Sequence, residues 1–310
     1  MGEKNINRRD KMRLRLIILI ILIPIQMLAS DSTRLESDFF QSIRANQVDS
    51  YITFGQGFGN LEPMIFEGLV APYFLLRARK DARWAGTVSP AIMIRMKAEE
   101  SFPVYSPSYL PNITLYHQLS EKNGEVKYLF VTLRHHSNGQ FNSFYNEDGS
   151  LNTKTGDFST NMVEFGAFFN KPVIPFSNTK EYFRTSLEYH LGYGRSEELQ
   201  GIYSFVRWHN SFRIYKFPLP KSTLKRLGYQ PSPRVQSKVE TTWMFGNLNN
   251  ASFFDLKERF NLSLTIAYRP KVLNDVSLFA NFYSGKDYYN MQFSNRLNVF
   301  RFGIQAYTIR

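Results

Sequence analysis

Within Val131-Thr132-Leu133-Arg134-His135-His136-Ser137-Asn138-Gly139 an imidazole and a hydroxyl stand two residues apart. Strand side chains alternate between faces, so Leu129, Val131, Leu133, His135 and Ser137 share one side. Phe130, Thr132, Arg134 and His136 take the other. The first side is apolar until it reaches the histidine and the serine. An imidazole within hydrogen-bond reach of a hydroxyl is the core of nucleophilic acyl transfer. If that apolar face looks at lipid, the ester to be attacked belongs to the membrane.

Such a serine needs a base, a group that orients the base, and an oxyanion site. His135 is the candidate base. Asn161 is the candidate orienter, because it opens the next strand-like segment with the parity of outward Val163 and Phe165. Its amide carbonyl can accept the imidazole N–H without placing a costly carboxylate against lipid. Two plainer readings compete. His135 and Ser137 can be a satisfied polar pair where a strand leaves the membrane. His135-His136 can suggest a metal, although adjacent strand residues point to opposite faces. His117, His190 and His209 lack partners at metal-ligand spacing and read as belt or lumen residues, and Glu188 and Asp287 have no second carboxylate at recognisable spacing. Arg134 and Glu164 face the same way on neighbouring segments and predict an ion pair inside.

The elements that position these residues are short and alternating. Strand-like segments recur near 51–54, 65–77, 86–97, 110–119, 126–137, 161–170, 181–191, 201–214, 237–247, 259–268, 276–283 and 296–308, separated by turn residues. Twelve is an even number, as single-chain bacterial barrels require, and most segments are long enough to cross a bilayer when tilted. In the last, Phe300, Phe302, Ile304 and Ala306 alternate with Arg301, Gly303, Gln305 and Tyr307. Aromatics reach 16%, with 28 Phe and 18 Tyr, and there is no Cys for disulfides, thiolate chemistry or lipidation. Residues 1–30 carry a basic stretch, an aliphatic run from Leu16 to Ile23 and small residues at Ala29 and Ser30, the pattern of a signal peptide. Residues 31–50 form a polar lead-in with a possible short helix over 34–46, and residues 51–310 form the barrel. The leader holds six basic and two acidic residues, leaving about +8 of the chain's net +12, mildly attractive to anionic headgroups. Basic residues are scattered, which argues against nucleic acid. The expectation is an all-β, twelve-stranded antiparallel barrel in the outer membrane, with 140–156 as an exposed polar loop.

His135-x-Ser137-Asn138-Gly139, followed by an asparagine at the start of the next strand, resembles the bacterial outer-membrane phospholipase A family. Ser101-Phe102-Pro103 through Ser108-Tyr109-Leu110-Pro111, and Tyr283-Ser284-Gly285 with Tyr289-Asn290 and Asn295-Arg296, extend the resemblance from residue 101 to the C-terminus. It implies calcium-dependent hydrolysis of phospholipid acyl esters, with Ser137 as nucleophile, His135 as base and Asn161 completing the triad. It further implies that the Gly139 N–H serves the oxyanion, and that a homodimer holds calcium through carbonyls of Gln140 and Phe102 and an oxygen at position 157. Position 140 is Gln where the family usually has Arg, and Asp157 stands where the family has Ser. The 140–156 loop is longer than usual for the family, which makes Asn152 an alternative orienter. A barrel without catalysis, a pore or a structural protein, is the other reading, as is an inactive relative that has lost calcium.

Overall fold

The computed structural model describes residues 37–79, 81–101, 104–122, 124–170, 178–218, 233–273 and 275–306. The expected signal peptide, the first part of the lead-in and Phe102 lie outside the described residues. After a helix α1 (Asp38–Ala45), the chain forms strands β1 (Tyr51–Thr53), β2 (Phe58–Gly59), β3 (Met64–Val70), β4 (Phe74–Leu76), β5 (Trp84–Lys97), β6 (Ser108–Lys122) and β7 (Glu125–Ser137). It continues with β8 (Ser159–Asn170), β9 (Thr179–Leu191), β10 (Val206–Lys216), β11 (Val235–Phe245), β12 (Phe260–Tyr268), β13 (Val276–Lys286) and β14 (Arg296–Ala306). Every neighbouring pair is antiparallel, and β1 bonds both β3 and β14, which closes the sheet. Closure leaves no edge for lipid to meet.

The strand segments make a barrel of twelve staves, because two staves are interrupted. β1 and β2 both lie along β14, and β3 and β4 both lie along β5. The break between β3 and β4 has a local cause. β3 ends with Val70 opposite Ile92, β4 begins with Phe74 opposite Val88, and between them stands Pro90, which has no N–H for a ladder. In the first stave, Gly57 (φ +77°) passes so close to β14 that a Cβ would come 2.2 Å from the Phe300 carbonyl oxygen. Only glycine fits that approach.

Alternation gives the wall its two faces. On β7, Val126, Tyr128, Phe130, Thr132 and His136 are buried, while Leu129 and Leu133 are exposed to the membrane side. No helix among the described residues is long and apolar enough to cross a membrane. The strands do the crossing, and the protein is an outer-membrane β-barrel.

The lumen is filled rather than hollow at the end opposite Ser137. Ser37 caps α1, whose Phe39, Phe40 and Ile43 pack among Tyr116, Tyr128, Phe130, Phe168, Tyr182 and Tyr215. The lead-in therefore enters the barrel, where its short helix lends an apolar stripe to a ring of aromatic side chains. Asp49 follows and pairs with Arg213 (3.1 Å) and Lys238 (3.4 Å). A second cluster ties four staves together: Glu67 accepts from Arg95, Arg301, Tyr51 and Tyr288, and Arg95 forks onto Asp287 at 2.7 and 2.8 Å. At the Ser137 end, Phe144, Phe158, Leu199, Tyr203, Met291 and Phe293 pack the loops together.

Candidate active site

The β7–β8 ladder brings the sequence-predicted residues together. His135 stands opposite Asn161 and Ser137 opposite Ser159, with His135, Ser137 and Asn161 all half-buried on the outer wall. The His135 Nδ1 lies 2.8 Å from Asn161 Oδ1. The amide's orientation follows from its other partners. Asn161 Nδ2 donates to the carbonyls of Tyr193 (2.9 Å) and Gly194 (3.3 Å), so its oxygen must face the imidazole. Nδ1 then carries the hydrogen, and Nε2 keeps the lone pair a base needs. Ser137 shares the face two positions on, and among the described residues its hydroxyl has no hydrogen bond to the ring. Such contacts commonly tighten only with substrate.

Past Ser137 the chain turns on Asn138, whose side chain is buried (2% exposed). Its Oδ1 accepts from the backbone N–H of Gln140 (3.2 Å) and Phe158 (3.1 Å), and its Nδ2 donates to the Gly156 carbonyl (2.8 Å). One amide thus fastens both ends of the 140–156 loop beside Ser137. Gly139 is exposed with φ +66°, and a Cβ there would stand 3.2 Å from the Tyr109 ring. Tyr109 is the register partner of Ser137 on β6, so its ring flanks both the serine and the Gly139 turn. The β6–β7 ladder skips Pro111, whose register position falls on His135. Sequence reasoning gave no role to Asn138 or Tyr109; a buried polar residue at a strand end was the available signal for the first, and parity with Ser137 for the second.

Within the loop, Tyr145 bridges Leu151 and Asn142 bridges Gly156. Asn152 spends its amide there, on the Ser143 carbonyl and Thr155, and does not approach His135. Asp157 follows, its N–H bonded to the Asn142 carbonyl (3.0 Å). Partial burial, and then repulsion from Glu198, raise its carboxyl above the usual range. Glu198 sits in the turn Glu197–Leu199, which Ser196 ties to Ser159; nothing in the sequence marked it. Among the described residues no group of three or more His, Asp or Glu side chains can hold a metal. A cation here would rest on the Asp157 carboxylate, with Glu198 nearby, plus carbonyl or water oxygens. That all-oxygen set suits calcium.

On the inner face, Arg134 lies 3.8 Å from Glu164 as an ion pair, but the hydrogen bonds to Glu164 come from Arg184 and Ser186. His190 bonds Glu188 (2.9 Å) and Thr160 (2.8 Å), and His209 bonds Thr242 (2.8 Å), both in the lumen. His117 faces outward, its ring 4.2 Å from that of Trp84.

No protein-family model matches the chain, and no curated protein matches its sequence. Solved structures do match. The outer membrane phospholipase A of Escherichia coli aligns at TM-score 0.58 and 12% identity, over 87% of this chain and 99% of that one. A variant of the same protein carrying an asparagine-to-alanine change in its active site aligns at TM-score 0.58 and 13% identity, over the same shares. The Salmonella typhi outer membrane phospholipase dimer with bound calcium aligns at TM-score 0.56 and 11% identity, over 90% of this chain and all of that one. At these identities the likeness is one of fold, and the fold of this chain is that of the outer membrane phospholipases A.

Proposed function

We propose that the protein hydrolyses acyl esters of glycerophospholipids and lysophospholipids from the outer wall of the barrel. The observation that carries this reading is the 2.8 Å contact between His135 Nδ1 and Asn161 Oδ1, on a lipid-facing strand whose next outward residue is Ser137. Ser137 Oγ attacks the ester carbonyl while His135 Nε2 takes its proton. The tetrahedral carbon then expels the glycerol oxygen, which leaves with the proton from Nε2. Water, deprotonated by the same nitrogen, releases the fatty acid and restores the serine. Asn161 holds the ring in the competent tautomer throughout and accepts from the imidazolium. The Gly139 N–H is the proposed oxyanion donor, worth a few kcal/mol when preorganised.

The residues that would hold calcium are Gln140 through its carbonyl and Asp157 through its carboxylate, with Phe102 of a second copy as the resemblance implies. Calcium bound there supplies positive charge beside the developing oxyanion. Homodimerisation, implied by the resemblance and accompanied by the dimeric state of the Salmonella protein, would complete the acyl slot and limit self-digestion. A lumen packed at one end by α1 and its ring of aromatic side chains weighs against the pore alternative.

The test is fatty-acid release from mixed micelles by the refolded protein, with calcium and with chelator, beside Ser137→Ala. Release that requires both calcium and Ser137 is expected. A folded, crosslinkable dimer without hydrolysis, or a Ser137→Ala protein of undiminished activity, refutes the reading.

A further inference from the structure

Behind the wall that carries His135 and Asn161, the lumen holds three guanidiniums against two carboxylates. Arg184 bonds Glu164; Arg134 lies 3.8 Å from Glu164 and 3.9 Å from Glu188; Arg207 lies 3.6 Å from Glu188. The other two lumen clusters balance. Glu67 and Asp287 meet Arg95 and Arg301, while Asp49 and Glu240 meet Arg213 and Lys238. Of these three clusters of described residues, this one is left with a positive charge, counting His136, His190 and His209 as neutral, and protonating any of them adds to the excess. An uncompensated charge inside a barrel wall is costly unless something of opposite sign joins it.

The geometry offers the place. Arg134, His136, Arg184, Arg207 and His209 line one cavity of about 360 Å³, which Glu188, Lys286 and Asp287 also line. The separations from Arg134 to its carboxylates are ion-pair distances, too long for hydrogen bonds. His136 is 6% exposed, and its Nε2 has no hydrogen-bond partner among the described residues. The same holds for the Nε atoms of Arg184 and Arg207, while His209 Nε2 stands 3.5 Å from the Glu188 carboxylate. Buried polar atoms are rarely left so, and several around one cavity with surplus positive charge mark a place for an acceptor. Guanidiniums offer forked donors that fit two oxygens of one group.

We propose that this cavity is a binding site for a monovalent oxyanion, held by Arg134 and Arg207 with the His136 ring as a further donor. Dihydrogen phosphate and a carboxylate share the chemistry required. The site is separate from the Ser137 machinery on the outer face, and the proposal stands whether or not Ser137 is a nucleophile.

The experiment is thermal unfolding of the refolded full chain in zwitterionic micelles. Sodium phosphate, acetate or octanoate is titrated against sodium chloride at matched ionic strength. A saturable rise in Tm is expected, about 3 °C at ten times the half-saturating concentration. Arg134→Gln, which removes the excess charge, abolishes the rise while unfolding within about 2 °C of the parent in chloride. Glu188→Gln, which adds to the excess, lowers the half-saturating concentration at least about fivefold. Response to phosphate alone assigns the site to the free ion; a tighter response to octanoate than to acetate assigns it to a lipid-derived carboxylate. Equal Tm in all four salts, or an Arg134→Gln protein that responds like the parent, overturns the proposal.

Discussion

Removing the amide at Asn161 tests the proposed chemistry most sharply, because its oxygen meets the proposed base while its nitrogen is spent on the Tyr193 and Gly194 carbonyls. In Asn161→Ala the imidazole loses its 2.8 Å acceptor. The carbonyls of Tyr193 and Gly194 lose a donor at an exposed turn, where water replaces it. A neutral hydrogen bond contributes about 1 kcal/mol net and one to a charged group about 1.5–3. A ring acting as base goes from neutral to cationic in the transition state, so the differential loss is about 1–2 kcal/mol from this bond alone. With the added freedom of an unheld ring, kcat should fall on the order of 10- to 100-fold at little change in KM. Asn161→Asp keeps the acceptor and should retain more activity than Asn161→Ala. The assay is initial-rate fatty-acid release in mixed micelles with saturating calcium, paired with thermal unfolding to show an intact barrel. Adding Asn161→Ala to Ser137→Ala should cost nothing further, since the two act as a unit. A kcat within about threefold of the parent, or a further drop in the double variant, would refute the triad.

Three other perturbations follow from the same geometry. Gly139→Ala puts a side chain at φ +66° and 3.2 Å from the Tyr109 ring, so it should destabilise by about 1–2 kcal/mol and lower kcat more than Tm suggests, read by unfolding and rate assays together. Asp157→Asn bears on pH. The Asp157 carboxyl is raised in the folded protein, so the folded state binds its proton more readily than the unfolded chain and loses that advantage as pH rises through the raised value. Without calcium, Asp157→Asn should therefore gain stability relative to the parent as pH rises; with calcium, the parent's half-activating concentration should climb as pH falls, and the variant should lose that dependence. Glu67→Ala leaves Arg95 and Arg301 partly unpaired inside the lumen and should cost about 3–5 kcal/mol in denaturant unfolding, while Glu67→Gln, which keeps acceptor and shape, should cost less.

The barrel was legible because a closed wall imposes a two-residue period on every stave, and the period survives in residues such as Phe300, Phe302 and Ile304 against Arg301 and Gln305. It carried the placement of His135, Ser137 and Asn161 on one face, since parity needs no knowledge of register. Long-range closure was less visible. The interrupted second stave reads as one segment, 65–77, because the cause of its break is Pro90 on the next strand. The lead-in looked like a polar approach; Phe39, Phe40 and Ile43 have nothing to pack against until Tyr128, Phe168 and Tyr215 are brought around them. Glu198 likewise acquires its effect on Asp157 only when the 196–200 turn is folded against β8. Contacts between distant loops leave no periodic mark, and Phe102 lies outside the described residues.

The proposed site is held in two different ways. His135 and Asn161 belong to a β7–β8 ladder that runs unbroken from Lys127 opposite Phe169 to Ser137 opposite Ser159, so the base and its orienter are as rigid as the wall. Gly139, Gln140 and Asp157 lie beyond the ladder, and the Asn138 side chain gathers their two segments through three hydrogen bonds. Positioning on regular elements is tight and positioning on loops is looser. If the proposed catalysis is controlled by calcium or by a second copy, control has leverage only on the looser half, the proposed oxyanion donor and cation ligands, because nothing short of unfolding the ladder can move Ser137 and His135. A resting monomer would therefore keep a formed His135–Asn161 pair and be silenced at Gly139, which predicts that ester analogues reacting with Ser137 without oxyanion stabilisation label monomer and dimer alike.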